Sequence, residues 1–474
     1  MRRTSFPVFL FAFSAAALCL AGCSSYPGKS REMRGAWLRG DWEGAEKIAV
    51  AEAAAADEND RLVWELDAAT LLRANGRDAD ARAALDKAAE TVGEWDEKAE
   101  TLLSKEASAT LYNLTALPYR GRGSDRIMLH TYRALNFLET GRNDDARVAL
   151  NAAYRAQTEA VEANAEAIEA ARENAAKNEV DLEKLSKEPD VASKLRAAEN
   201  SLPEVAVYAD YVNPFTTWLH GIYFLYAGTD GADRERARKS LSRVESMEPG
   251  NSFVAEDAAR AEDAADPAEP PRTYVIFEYG TAPTLVEERA DLLLPFPTGH
   301  GFTIAPVGIA LPKLAGTQSP ATPALTADGV PAQRVCDMKR VVKTDFENAY
   351  PGVLARTLTT AFVKTAASVA ANFAASEYAR RDGSAGSALI ALGTMVGTSV
   401  ATIASAEADL RLWQTLPDSF YVASFPTPAS RRAEIFVGAR RIEVALAPGR
   451  VNVVCVRTVG TEATPRVSQF VLRK

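Results

Sequence analysis

The chain has 474 residues, 47% of them hydrophobic and 25% charged, with 54 basic against 63 acidic side chains and a formal charge of −9. That much apolar material builds buried cores, in roughly two to four domains by length, and excludes a disordered chain. The acidic balance excludes nucleic acid and anionic lipid surfaces as partners, because both need a positive footprint.

Arg2 and Arg3 supply a positive start, Phe6 to Leu20 a short apolar run, and Ala21 and Gly22 are small residues set directly before Cys23. This is the layout of a secretory signal peptide over 1–22. The ending Leu20-Ala21-Gly22-Cys23 resembles the lipobox of bacterial lipoproteins. The resemblance implies cleavage after Gly22 and lipid, including palmitate, on Cys23. Several acyl chains make such an anchor stable without a spanning helix. Ser24 and Ser25 follow, and by resemblance to sorted lipoproteins the lack of Asp there implies the outer membrane, facing the periplasm. Loss of 1–22 removes Arg2 and Arg3 and no acid, so 52 basic residues face 63 acidic ones and the charge becomes −11. Residues 23–34, with Pro27 and Gly28, read as a lipidated tether.

From 35 to 266 the texture is helical. Ala81, Leu85 and Ala88 recur as Ala146, Leu150 and Ala153, and again as Ala237, Leu241 and Val244. Gly76 and Gly141 lie five residues upstream of the first two sets, and Gly40-Asp41-Trp42 with Ala45 is a degenerate copy. Small Ala side chains let paired helices approach, and Gly ends the first helix of each pair. These offsets resemble the tetratricopeptide repeat, a helix–turn–helix unit of about 34 residues. Stretch 157–199 is charged and poor in large apolar residues, so it predicts a projecting, solvated helical insertion. Asn213-Pro214-Phe215 restarts the array with Phe215, Trp218, Leu219, Ile222 and Leu225 on one face.

Prolines 267, 270 and 271 mark a linker over 267–273, and the language then changes to β for an α+β domain over 274–474. Strands are expected at Tyr274–Glu278, Phe302–Ala305, Val307–Leu311, Phe420–Phe425, Ala433–Val437, Ile442–Ala447, Val451–Arg457 and Val467–Leu472. Ala447-Pro448-Gly449-Arg450 reads as a hairpin connection. A helix starting near Pro351 keeps Leu358, Ala361, Phe362 and Val369 on one face. Gly383 to Ala406 then runs 24 residues without a charge. Its small residues favour burial against the Pro351 helix, with membrane contact as the alternative. The fold class is therefore α+β and multidomain: an all-α tetratricopeptide-like solenoid, then an α/β domain with a mostly antiparallel sheet and two packed helices.

Cys336 and Cys455 both lie in strand-like runs, in a compartment that allows disulfides. They pair if neighbouring strands bring their Cα atoms within about 6 Å; otherwise they are buried thiols acting as small hydrophobes. The histidines, His130, His220 and His300, are far apart. No His-Glu-x-x-His, Cys-x-x-Cys, Gly-x-Ser-x-Gly or phosphate-loop motif occurs. The sequence thus supports neither a metal site, a cofactor nor an enzyme.

Segment Ala408–Pro417 has two readings. Asp409 and Arg411 finish a helix while Trp413 and Leu416 plug a helix–sheet joint, or these four form a partner-binding anchor, since Trp and Arg are favoured in hot spots. With Phe277-Glu278-Tyr279-Gly280-Thr281-Ala282-Pro283, Asp337-Met338 and Tyr211-Val212-Asn213-Pro214-Phe215, the segment resembles an uncharacterised family of bacterial tetratricopeptide-like lipoproteins. That resemblance implies an envelope or cell-wall setting and carries no catalytic residues. The expected function is a membrane-anchored periplasmic scaffold whose solenoid takes a protein or peptide partner. The alternatives are a component of an outer-membrane export or pore assembly and an unrecognised envelope hydrolase.

Overall fold

The computed structural model describes residues 26–98, 114–199, 201–209, 211–263, 265–298, 301–316, 321–404 and 406–474. The signal peptide and Cys23 lie outside the described residues, as does His300.

Helices come in consecutive packed pairs: α1 (Tyr26–Leu38) with α2 (Trp42–Ala55), α3 (Arg61–Ala74) with α4 (Asp78–Glu97), α5 (Gly123–Glu139) with α6 (Asn143–Lys177). The first helix of each pair ends in the same way. Gly40, Gly76 and Gly141 sit at φ of 74°, 73° and 72°. Each donates its N–H back to the first helix, and the next residue reaches one residue further back: Asp41 to Ala36, Arg77 to Leu72, Arg142 to Phe137. This glycine cap satisfies helix-end carbonyls and needs a left-handed residue. The recurrent Ala-Leu-Ala positions fall on the second helices and are buried. A further pair, α9 (Pro214–Ala227) and α10 (Gly231–Met247), departs from the pattern, its joint made by Gly228 in extended conformation. Asn213 caps α9 by accepting from Thr216 N at 3.1 Å, and every residue from Pro214 to Tyr226 is buried. Helix α11 (Ser252–Glu262) closes the helical half.

Two expectations fail in this half. Residues 26–34 are no tether: they form most of α1, with Tyr26, Ser30, Met33 and Arg34 buried. Pro27 stands in the first turn, where its missing N–H costs nothing. The stretch 157–199 does not project either. It continues α6 and adds α7 (Leu182–Lys187) and α8 (Pro189–Glu199). Ala171, Ala175, Val180, Leu185, Val191 and Leu195 are buried. Their cover comes from far along the chain, so no local pattern announced it.

Among the described residues the strands form three sheets. The central one is ordered β11 (Arg466–Arg473), β10 (Val451–Thr458), β1 (Arg272–Tyr279), β7 (Ser419–Pro426), β6 (Gln333–Asp337). Only the β1–β10 pair in it is parallel. A smaller sheet joins β5 (Val330–Pro331), β4 (Leu325–Ala327), β8 (Arg432–Val437) and β9 (Arg440–Ala445). Strands β9 and β10 belong to different sheets, so the Pro448-Gly449 link crosses between layers instead of closing a hairpin.

Successive side chains of a strand point to opposite faces, and β1 is buried on both. Val275 and Phe277 pack with Leu325, Ile435 and Val437 of the small sheet. Tyr274 and Ile276 join the helices in one apolar cluster that runs from Tyr26 to Leu472. Phe215 of α9 stacks on Phe420 of β7 with centroids 3.7 Å apart. The architecture is thus helices on one face of the central sheet and the small sheet on the other. Helical and strand-rich halves share a core.

The third sheet is a long hairpin, β2 (Thr284–Thr298) with β3 (Gly301–Ala315). It packs on α12 (Met338–Asp382), a helix of 45 residues that begins well before Pro351 and carries that proline inside it. Asp337 caps its start by accepting from Lys339 N, and Gly383 ends it at φ 66°. Helix α13 (Ala385–Ala404) then folds back along α12.

Candidate functional site

Segment 408–418 leaves α13 and threads between the helices and the sheet. Tyr26 donates its hydroxyl to Leu412 O at 2.7 Å, and Arg34 donates to Gln414 Oε1 at 3.1 Å. Trp413 Nε1 donates to Thr70 Oγ1 at 3.0 Å. Asp67 Oδ1 accepts from Gln414 N, Thr415 N and Thr415 Oγ1 at 2.9–3.0 Å. Arg411 pairs with Asp409 at 2.7 Å and Asp60 at 3.3 Å, and donates to the carbonyls of Asn59 and Leu117. Trp413 is 0% and Leu416 1% exposed. The partner-anchor reading of Asp409, Arg411, Trp413 and Leu416 is therefore corrected. Their side chains are spent inside the chain: Arg411 on Asp409 and the loops at Asn59–Asp60 and Leu117, Trp413 on Thr70 of α3, and Leu416 in the core.

The disulfide expectation is corrected as well: Cys336 and Cys455 are free and buried. Cys336 lies on β6 and Cys455 on β10, with β7 and β1 between them. Three strand spacings amount to about 14 Å, beyond a disulfide's reach.

Buried charge concentrates beneath this segment. Arg73 bonds Glu139 and Glu278 at 2.8 Å each, and Tyr132 donates to Glu278 at 2.9 Å. Burial pushes the Asp67 carboxyl up to about 8 and that of Asp257 up to about 7, against its donors Tyr274 and Trp218. Burial likewise drives His130 and His220 down to about 4. His130 is half-buried, whereas His220 lies in the core and bonds Ser240 Oγ at 2.9 Å. Among the described residues no cluster of His, Cys, Asp and Glu could hold a metal ion.

A cleft of about 480 Å³ opens where the end of α4, the loop 117–123, α6, α12 and Arg411 meet. Tyr119 donates to Asp125, whose carboxyl burial pushes up to about 6. Asp345 accepts from Ser124 N at 3.1 Å and Ser124 Oγ at 2.5 Å, and burial raises it too. Arg126 pairs with Asp96 at 2.7 Å. Arg122 Nε has no hydrogen-bond partner among the described residues. The cleft gathers ionisable groups, of which Asp96, Asp345 and Asp409 are engaged by Arg126, Ser124 and Arg411.

Two surfaces are apolar and uncovered. On the β2–β3 hairpin the register pairs Leu293 with Pro306, Pro295 with Ile304 and Pro297 with Phe302, which puts these six side chains on one face. Leu293, Phe302 and Ile304 are 72%, 79% and 71% exposed. The opposite face, with Leu292, Leu294 and Phe296, is buried, Phe296 lying 4.9 Å from Phe362 of α12. Helix α13 is the second surface. It turns Ser387, Ala391, Thr394 and Thr398 inward, Thr398 donating to Asn372 of α12 at 3.0 Å. Leu389, Ile390, Leu392, Met395 and Val396 point out, each about half exposed or more. The expected burial of 383–406 against α12 is right for Ser387, Ala391, Thr394 and Thr398 and wrong for Leu389, Ile390, Leu392, Met395 and Val396. No described helix is long and apolar enough to cross a membrane. Sequence reasoning missed the hairpin face, although the alternation in 292–306 held the signal; the uncharged run 383–406 was marked, with exposure to lipid only as its alternative reading.

Compared with known proteins, the chain matches no family model, no curated protein and no solved structure.

Proposed function

We propose that this chain is a lipid-anchored scaffold of the bacterial envelope, held through Cys23 to the outer membrane and facing the periplasm, which acts by binding a partner protein. The observation that carries the partner-binding part is the outer face of the β2–β3 hairpin. Leu293, Phe302 and Ile304 with Pro295, Pro297 and Pro306 make an apolar patch on that face, beyond exposed Arg289 and Asp291, of the kind that marks interaction sites. Proline supplies no N–H to a ladder, so the edges are poor templates for an added strand. The partner therefore meets side chains on a face, which also disfavours hairpins zipping into a pore. The repeated glycine caps and buried Ala-Leu-Ala triplets support a tetratricopeptide-like ancestry for the helical half. Its peptide-binding role passes to the hairpin, because segment 408–418 takes the faces of α1 and α3.

A photo-crosslinker at Phe302 in intact cells tests this. A discrete protein adduct that disappears with Leu293→Asp and Ile304→Asp is the expected result. Adducts no different from those at exposed Ser242 overturn it.

The envelope-hydrolase reading draws on the cleft around Asp125 and Asp345. Release of a product from isolated cell-wall material that stops with Asp125→Asn would favour it over the scaffold.

A further inference from the structure

Helix α13 is inside out. A surface helix in water turns its bulky apolar residues to the core and its hydroxyl residues to solvent. Here Ser387, Ala391, Thr394 and Thr398 form the seam with α12, while Leu389, Leu392 and Val396 run down the middle of the outer face with Ile390 and Met395 beside them. Gly393 and Gly397 lie on that side too, with nothing within 4 Å of where a side chain would begin. Helix pairs surrounded by lipid are built this way: small residues set the close approach, hydroxyls bond across the seam, and large side chains meet acyl chains.

The outer face also lacks what a protein partner would use. Residues 383–406 hold no charge, and the exposed stripe offers no side chain to make the polar rim and hydrogen bonds of a protein interface. Anionic lipid would gain nothing from it, whereas the hydrocarbon border of a zwitterionic layer would.

Position points the same way. Cleavage before Cys23 leaves Cys23, Ser24 and Ser25 ahead of Tyr26, and three residues reach at most about 10 Å. Tyr26 is fixed in the core by its bond to Leu412 O, and Leu412 stands eight residues beyond Ala404, the last residue of α13. The point where the anchor would enter is thus bonded to the very segment that leads out of α13. We propose that α13 lies with its outer face in the headgroup–acyl border of the membrane that holds the anchor, as an interfacial helix about 30 Å long, and so sets how the body stands on that surface. This inference rests on the anchor reading.

The test uses the full chain as cells process it, purified and mixed with phosphatidylcholine vesicles, with an environment-sensitive dye on Leu389→Cys, Met395→Cys or, as control, Ser242→Cys on α10. Native Cys336 and Cys455 are buried and escape labelling. Nitroxides on the acyl chains should quench positions 389 and 395 several-fold more than 242. Adding Leu392→Glu and Val396→Glu should remove that difference while the protein still floats with the vesicles. A chain that floats with 389 and 395 as wet as 242 overturns the inference alone. Dye self-quenching that rises with protein density, without nitroxide quenching, assigns the face to a second copy and overturns it too. A chain that fails to float has no acyl anchor, which overturns the anchor reading and the inference together.

Discussion

Asp67 shows how one side chain can order two halves of a molecule. Its carboxyl takes three donors from the backbone and side chain of residues 414 and 415, and burial holds its proton on to about pH 8. In the unfolded chain the group loses that proton near pH 4. Between those values the fold binds more protons than the unfolded chain, so stability falls as pH rises across the window, by up to about 1.4 kcal/mol per unit for each such group. Asp257 adds to the slope up to about pH 7. Asp67→Asn keeps the accepting oxygen and removes the titration. Urea unfolding at pH 5 and pH 8 should show the variant losing less stability between them than the parent chain. Arg73 carries the opposite hazard: Arg73→Met leaves Glu139 and Glu278 buried without their cation, and denaturation should report a loss of about 3–5 kcal/mol.

At the scale of elements, what could be read in the sequence was what local physics dictates. Gly76 and Gly141 announced helix ends because a left-handed residue was needed there, and Gly141→Ala should cost about 1–2 kcal/mol in thermal unfolding. Strands β7, β8, β9, β10 and β11 were legible from alternation, and β1 from its apolar run. Helices α6–α8 were legible as helices but not as buried ones, since Ala171 and Ala175 are covered by residues remote in sequence. Trp413 and Arg411 stood out as chemistry-bearing, yet their composition suits a buried joint as well as a hot spot, and only Thr70, Asp60 and Asn59 decide between the two. For α13 the error ran the other way: a run without charge was taken to be hidden, when its bulky residues are the exposed ones.

On the scale of the whole molecule, the shared core governs behaviour. Residues 26–263 made without the strands would expose Phe215 and Trp218, which lie against Phe420 and Tyr274. That fragment should be insoluble or molten by near-ultraviolet circular dichroism. The intact chain should unfold with coincident transitions for tryptophan fluorescence and far-ultraviolet signals. Separate transitions would mean the halves hold themselves up independently. The two domains expected from the change in texture near residue 267 are, in packing terms, layers of one body.

The insertion of 408–418 between the layers also has a consequence for time. Asp67 and Thr415 stand 348 residues apart, so α1 and α3 are synthesised long before the segment that completes them exists. Closing so large a loop is slow, and until it closes the inner faces of those helices stay sticky. A chain of this design should complete its fold only on arrival of its last seventy or so residues.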